Sequence, residues 1–310
     1  MSPEKMPCKA SDSQASMPLG ECRLQPLTGI AFAAIVEGVN WFRICLAQPR
    51  DMRSRGSANS VRETGSLMRI SIVLPNLNCK KYLKECIEAF EAQDYENKRL
   101  IIVDSASSDG SHDIIRSFSE RNSDILWIQE ADRGISDALN IGLKHIGDGE
   151  IFGYLGADDI ILPGTLRNVF RALDERPLAI GVFFDSYSQN AMGQRKLRLC
   201  PCKAMTLPLL MKHRTIAGMQ NTYIRSDIVK RYGFNLSARY SMDYELYLRL
   251  AKDELGERIF HIATPSTVNI NDGNISTRFR KLSRREAYRF AFRIAPFGWK
   301  KIMVGLRSLR

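Results

Sequence analysis

The sequence has no apolar run fit to span a membrane. Its best candidate, residues 30–47, is interrupted by Glu37, Asn40 and Arg43, and such side chains are costly in hydrocarbon. That run also starts late and no clean small-residue cleavage site follows it, which counts against a secretory signal. Cysteine is sparse: seven in 310 residues, an odd number without pairing rhythm. This excludes a disulfide framework and fits the reduced thiols of a cytoplasmic protein. Cys200-Pro-Cys202 is the one close pair. With no second Cys or His pair at finger-like spacing, two packed or exposed thiols are expected there rather than zinc. There is no internal repeat and no recognised nucleic-acid module, so nucleic acid is not an expected partner.

A uniform basic field is also missing. The net charge is +11, yet residues 278–310 hold eleven Lys and Arg against the single acid Glu286. That segment supplies nearly the whole excess, and the rest of the chain is close to neutral. A basic tail alone points to a surface contact made by that tail. Its cations interleave with Phe279, Tyr288, Phe290, Phe292, Phe297 and Trp299, the composition of a segment that lies on an anionic membrane surface. Pro296 and Gly298 split it into two short pieces. The other reading is a helix over residues 282–294 that packs on the domain with its charges solvated. A peripheral position on the cytoplasmic face of a membrane follows from the first reading.

What the chain does contain is ordinary globular material, 44% hydrophobic and 25% charged, enough for a sizeable core. Residues 1–67 carry Pro, Ser, Met and Arg without period and read as a poorly structured leader or an over-long start. At Met68 the character changes. Arg69-Ile-Ser-Ile-Val-Leu-Pro75 is a buried-strand run, and Leu83, Cys86, Ile87 and Phe90 follow at helical spacing. Leu100-Ile-Ile-Val103, Ile125-Leu-Trp-Ile128 and Ile151-Phe-Gly-Tyr-Leu155 are further strands. Between them Ile114, Ile115 and Phe118, then Ile135, Leu139 and Leu143, mark helices, and Pro163 opens another. Alternating strands and helices with short connections predict an α/β fold, a mostly parallel central sheet flanked by helices. After residue 178 the pattern loosens to a hairpin around Asn190-Ala-Met-Gly193, a short strand over 220–224, a helix beginning near Asp243 and a strand over 258–263.

Ligands of such sheets sit at the carboxyl ends of the strands, and the polar clusters fall there: Pro75 to Asn78, Asp104 to Asp109, Glu130 to Asp137, and Asp158-Asp159. Asp104 directly follows an apolar strand, where its carboxylate could accept the imide N–H of a uracil or thymine. Asp109 reads as a helix cap. Adjacent carboxylates repel unless a cation offsets them, so Asp158-Asp159 favours a divalent ion, Mg²⁺ or Mn²⁺, bound with a diphosphate. Asp243 is either a helix cap or a general base at a cleft, with Glu245 its understudy.

In order, "SIVLPNLNCKKYLKECIEAFEAQDYENKRLIIVDSASSDGS", "EADRGISDALNIGLKHIGDGEIFGYLGADD" and "MDYELYLRL" resemble the family-two glycosyltransferases, which have the A-type, Rossmann-like nucleotide-sugar fold. The resemblance runs from about residue 68 to 275. It implies a donor-binding half over 68–177, an acceptor half over 178–275 and a basic helical tail over 276–310. It implies that Pro75, Asn78 and Asp104 contact the nucleotide, and that Asp137 and Asn140 lie near the diphosphate and ribose. Asp158 is implied on the ribose and metal side, Asp159 as the metal ligand and Asp243 as the base. The implied reaction is inverting transfer of one sugar from a nucleotide-diphosphate donor, UDP-linked by expectation, to a glycan or lipid-linked acceptor of the cell surface. Three departures stand out. Asp104-Ser-Ala-Ser107 replaces Asp-Asp-Gly-Ser, Gly156 replaces the first Asp of Asp-Ala-Asp-Asp, and Met219-Gln220 stands where surface-polysaccharide relatives often have His-Gln. The Gln-x-x-Arg-Trp signature of processive synthases is absent, which favours single transfer. Two rival readings are a nucleotidyltransferase, which lacks support because no Gly-rich phosphate loop follows the first strand, and a non-catalytic binding protein with a decayed site.

Overall fold

A computed structural model describes residues 68–271 and 279–296. The expected leader and the last part of the tail, beyond Pro296, lie outside the described residues. Four strands form the parallel part of the sheet: β1 (Ile70–Asn76), β2 (Lys98–Asp104), β3 (Ile125–Gln129) and β4 (Ile151–Tyr154). Helices α1 (Lys80–Glu91), α2 (Ser111–Ser119) and α3 (Ile135–Leu143) alternate with them. The period-2 alternation of the strands divides the core into two. Ile70, Ile72 and Leu74 of β1, with Leu100 and Ile102 of β2, face Leu83, Cys86, Ile87 and Phe90 of α1. Val73, Ile101 and Val103 face the other way, onto Ala138, Leu139 and Leu143 of α3. Each fully buried aliphatic contributes about 1.5–3 kcal/mol. α3 approaches β1 so closely that a Cβ on Gly142 would lie 2.5 Å from Val73 Cγ1.

Beyond β4 come β5 (Asp159–Ile161), α4 (Thr165–Asp174), β6 (Gly181–Asn190), β7 (Arg195–Arg198), α5 (Leu207–His213) and β8 (Thr222–Arg225). α6 (Ser226–Tyr232), α7 (Met242–Lys252), β9 (Ile259–Asn271) and α8 (Arg280–Ile294) complete the described chain. The sheet order is β3-β2-β1-β4-β8-β6-β9-β5, with β7 on β6. The fold is the expected α/β sheet flanked by helices, but only the β3–β4 portion is uniformly parallel. β8 runs antiparallel to both β4 and β6, β9 runs parallel to β6, and β5 is antiparallel to β9.

Three local expectations need correction. The Asp158-Asp159 turn leads straight into β5, because β9 continues eight residues past position 263 and offers an edge to pair with. α5 and α6 are too short to announce themselves by period. The helix at 280–294 is not wholly a free tail: it buries Glu286, Ala287, Phe290 and Ala291, and the last three join the core that also holds Tyr244 and Leu248 of α7. Among the described residues no helix is long and apolar enough to cross a membrane.

Candidate active site

The carboxyl ends of β1, β2 and β4 lie side by side, Asn76 opposite Asp104 and Val73 opposite Tyr154. At the first end Asp104 is fully buried and its carboxylate is saturated. Oδ1 accepts the Ser107 N–H (2.9 Å) and faces His112 Nε2 (2.8 Å), while Oδ2 accepts the Asn76 amide (2.5 Å) and the Ser107 hydroxyl (2.8 Å). Burial raises its pKa, but the bonds from Ser107, Asn76 and His112 outweigh that and hold it below the usual carboxylate range. Among the described residues, the buried side-chain acceptor without a partner is next door, Asn76 Oδ1. Sequence reasoning passed over Asn76. Its signal was its position as the last residue of a buried strand.

Asn78 is a turn residue at φ 55°; its Oδ1 accepts the Ser108 N–H at 2.8 Å. Asp109 caps two helices, accepting the Ser111 N–H (3.0 Å) and the Lys80 N–H (2.8 Å). Pro75 sits in β1 opposite Val103. Cys79 connects this end to the next: burial pushes its thiol up, and the charges of Asp158, Asp109 and Asp104 all reach it.

Asp158 and Asp159 follow β4. Asp159 is buried, with Asn269 of β9 donating to its Oδ1 at 3.3 Å. Burial, then the Asp158 charge, pushes Asp159 well above the usual carboxylate range, and burial raises Asp158 too. A Cβ on Gly156 would stand 2.7 Å from Asp159 Oδ2 and 3.0 Å from Asp158 Oδ1. Both carboxylates therefore turn onto one bare stretch of backbone, and the glycine that departs from the common motif is what leaves that space open. Converging and mutually repelling oxygen donors, one buried and one partly buried, fit a hard divalent cation such as Mg²⁺ or Mn²⁺.

Asp243 lies in the first turn of α7, where its Oδ1 accepts the Tyr244 N–H at 2.6 Å. Burial pushes it up to about 6, and Glu286 adds to the rise. Tyr154, at the end of β4, ties the set together: burial raises its pKa first, then the charges of Asp159, Asp158 and Asp243. The charges of all three carboxylates thus act on one phenol. Glu245 is excluded from this group. It is buried against Arg249, whose Nη2 donates at 2.8 Å, and accepts the Asn235 amide at 3.0 Å.

The segment that carries Asp243 is clamped from two sides. Asn140 of α3 donates to Phe234 O (2.8 Å) and accepts the Phe234 N–H (2.9 Å), and Ser136 donates to Ala238 O (2.7 Å). From α8, Glu286 accepts the N–H groups of Arg239 (3.1 Å), Tyr240 (3.0 Å) and Ser241 (3.0 Å) and the Ser241 hydroxyl (2.8 Å). Glu286 had no signal in the sequence beyond being the sole acid of a basic stretch. Asn140 is thereby engaged with backbone, and Asp137 accepts Arg133 Nε at 2.9 Å near the surface. The structure turns Asp158 and Asp159 onto Gly156, lets the charges of both and of Asp243 act on Tyr154, and leaves Asp137 and Asn140 with protein partners.

A family model described as glycosyl transferase family 2 matches residues 71–233. The minor teichoic acid biosynthesis protein GgaB of Bacillus subtilis (strain 168) is 28% identical over 185 residues, 57% of this chain and 20% of that protein. The structure of S. aureus TarS in complex with UDP-GlcNAc superposes with a TM-score of 0.60 at 18% identity, over 73% of this chain and 65% of that one. The mannosyltransferase PcManGT from Pyrobaculum calidifontis, in complex with GDP-Man and Mn²⁺, gives 0.55 at 20% identity, over 76% and 68%. The chain therefore spans a fifth of GgaB and less than two thirds of the TarS chain.

Proposed function

Because the chain belongs to glycosyl transferase family 2, we propose that it transfers a single sugar, with inversion, from a nucleotide-diphosphate sugar to a hydroxyl of a glycan or lipid-linked acceptor in cell-surface polysaccharide synthesis. The observation that carries this reading is the Asp158 and Asp159 carboxylates turned together onto Gly156 at the strand ends, with their charges and that of Asp243 acting on Tyr154. Residues 68–177 hold the donor and 178–275 shape the acceptor side. The nucleotide lies over the ends of β1 and β2. There Pro75 and Asn78 shape the turn, Asp104 anchors it, and Asn76 Oδ1 is the acceptor left for a base N–H. Asp159, with Asp158, would hold a divalent cation, and its Lewis acidity would offset charge on the departing diphosphate. Asp243 takes the proton from the acceptor hydroxyl as it attacks the anomeric carbon. A UDP donor is supported by the bound UDP-GlcNAc of TarS, and a surface acceptor by the teichoic acid role in the name of GgaB. The cations of 276–310 would hold the enzyme at an anionic membrane surface on the cytoplasmic face, beside a lipid-linked acceptor.

Release of nucleoside diphosphate from candidate nucleotide sugars, with and without acceptor, tests the reading. Asp243→Asn is expected to keep donor affinity and lose roughly a hundredfold or more in turnover. Wild-type turnover in that variant would remove Asp243 from the mechanism. No diphosphate release from any donor would favour a binding protein with a decayed site.

A further inference from the structure

A second cluster of metal-ligating side chains lies outside the site described above. Asp185 of β6, Cys200 and His261 of β9 present one ligand atom each, all within 4.8 Å of one another. His261 Nε2 is 2.9 Å from Asp185 Oδ1, and Asp185 is almost fully buried. The cluster is built by backbone as well as side chains. The β6–β9 ladder shifts register on both sides of Asp185, and such bulges re-aim a side chain. His261 stacks on Phe183 with centroids 5.2 Å apart, which fixes its ring. The chain after Cys200 returns along β9: the His261 N–H donates to Lys203 O at 3.2 Å, and Ala204 bridges to Phe260. Three segments distant in sequence are thus held in register around these side chains.

We propose that Asp185, Cys200 and His261 form a structural zinc site, separate from the Asp158–Asp159 pair. The donor chemistry chooses the ion. One thiolate, one imidazole and one carboxylate form a borderline-soft set that suits Zn²⁺, whereas Mg²⁺ and Ca²⁺ take oxygen. This arrangement gives the Cys-Pro-Cys element a use that its spacing alone did not suggest, because the remaining ligands come from β6 and β9 rather than from a second sequence pair. On binding, the S–H bond of Cys200 breaks, an S–Zn bond forms and the proton leaves to solvent, so affinity rises with pH. The ion would clamp the base of the β6–β7 hairpin to β9.

The protein purified without chelator is expected to carry about one zinc per chain by elemental analysis. Replacing it by Co²⁺ should produce a thiolate-to-cobalt charge-transfer band in the near ultraviolet, which an oxygen-only site cannot give. Asp159→Ala should keep both the zinc and the band, while Cys200→Ser and His261→Asn should lose the zinc, and Cys200→Ser the band. Should those two variants fail to fold, the wild-type measurements decide alone. Folded wild-type protein that takes up no zinc and shows no charge-transfer band with Co²⁺ would overturn the proposal. So would a band that survives in Cys200→Ser.

Discussion

Two carboxyls of the proposed active site keep their protons to a higher pH than they would in water. Burial, then Asp158, raises Asp159, and burial lifts Asp243 to about 6. A carboxyl whose folded pKa exceeds its unfolded value, about 4, keeps its proton more tightly in the folded state. Folding stability then falls as pH rises from about 4 through the folded pKa, to about 6 for Asp243 and further for Asp159. Asp104 has the opposite sign: its folded pKa is depressed, so its contribution is lost only as pH drops below the ordinary carboxylate range. In chelator, the melting temperature is therefore expected to fall between pH 5 and 8, and Asp159→Asn should flatten that fall. A melting temperature constant or rising over that interval would contradict the raised pKa of these carboxyls. Excess Mn²⁺ should restore stability at the alkaline end, where both carboxyls are ionised. Turnover obeys a separate rule. Asp243 must be deprotonated to act as base, so kcat/KM is expected to decline as pH falls through about 6. At the proposed nucleotide end, Asn76→Ala should weaken nucleoside diphosphate binding and also cost stability, because it removes both an acceptor with no partner among the described residues and the amide that donates to the buried Asp104. Asp104→Ala should instead unfold the turn, since it leaves the buried Asn76 amide and Ser107 without their acceptor.

Among the elements, α8 has the largest effect beyond its own length. Its Glu286 gathers three successive backbone N–H groups immediately before α7, and so sets where Asp243 stands. Glu286→Ala would leave the buried Ser241 N–H and the partly buried Arg239 and Tyr240 N–H groups unpaired, at about 1–3 kcal/mol for the buried one. The expected result is a stability loss of roughly 2–3 kcal/mol. It should come with a fall in kcat of about ten- to a hundredfold, since a displaced base loses reactive geometry. The donor KM should stay near wild type, because the donor end is built on β1, β2 and β4. Glu286→Gln keeps one acceptor and should recover part of kcat. Equal losses in kcat and in donor affinity would mean general unfolding rather than positioning. The contrast with the first half explains what could be read beforehand. Leu83, Cys86, Ile87 and Phe90 repeat at 3.6 and bury as a face, and each polar residue after a strand lands at the edge because a parallel sheet puts it there. The second half carries no such periodicity. β5 exists only because β9 is long enough to pair with it, and Asp185 meets His261 and Cys200 only through a ladder irregularity. Glu286 finds its N–H groups across 45 residues of sequence. Non-local pairing of this kind leaves no spacing to read.

Seen over the whole molecule, charge is concentrated at one end of the chain, and α8 resolves part of how it is displayed. The helix buries Glu286, Ala287, Phe290 and Ala291. It exposes Arg280, Lys281, Arg284, Arg285, Arg289 and Arg293 together with Leu282 and Phe292. The two readings of the tail are therefore not exclusive: one face docks on the domain while the other presents cations and apolar groups outward. Each basic residue near an anionic surface contributes on the order of 1 kcal/mol, so a few engaged at once suffice for reversible docking. Deleting the tail is the wrong test, because it also removes Glu286 and disturbs Asp243. Reversing outward charges is the right one. The combined variant Arg284→Glu, Arg285→Glu and Arg289→Glu should keep the wild-type melting temperature and its turnover on a soluble acceptor. Its co-sedimentation with vesicles containing anionic lipid should be largely lost. Wild-type binding should weaken with added salt over the range in which the screening length falls below about 10 Å. It should be absent on neutral vesicles. If the wild type and the charge-reversed variant sediment alike, the exposed face of α8 is merely solvated, and the enzyme must meet its acceptor by another surface.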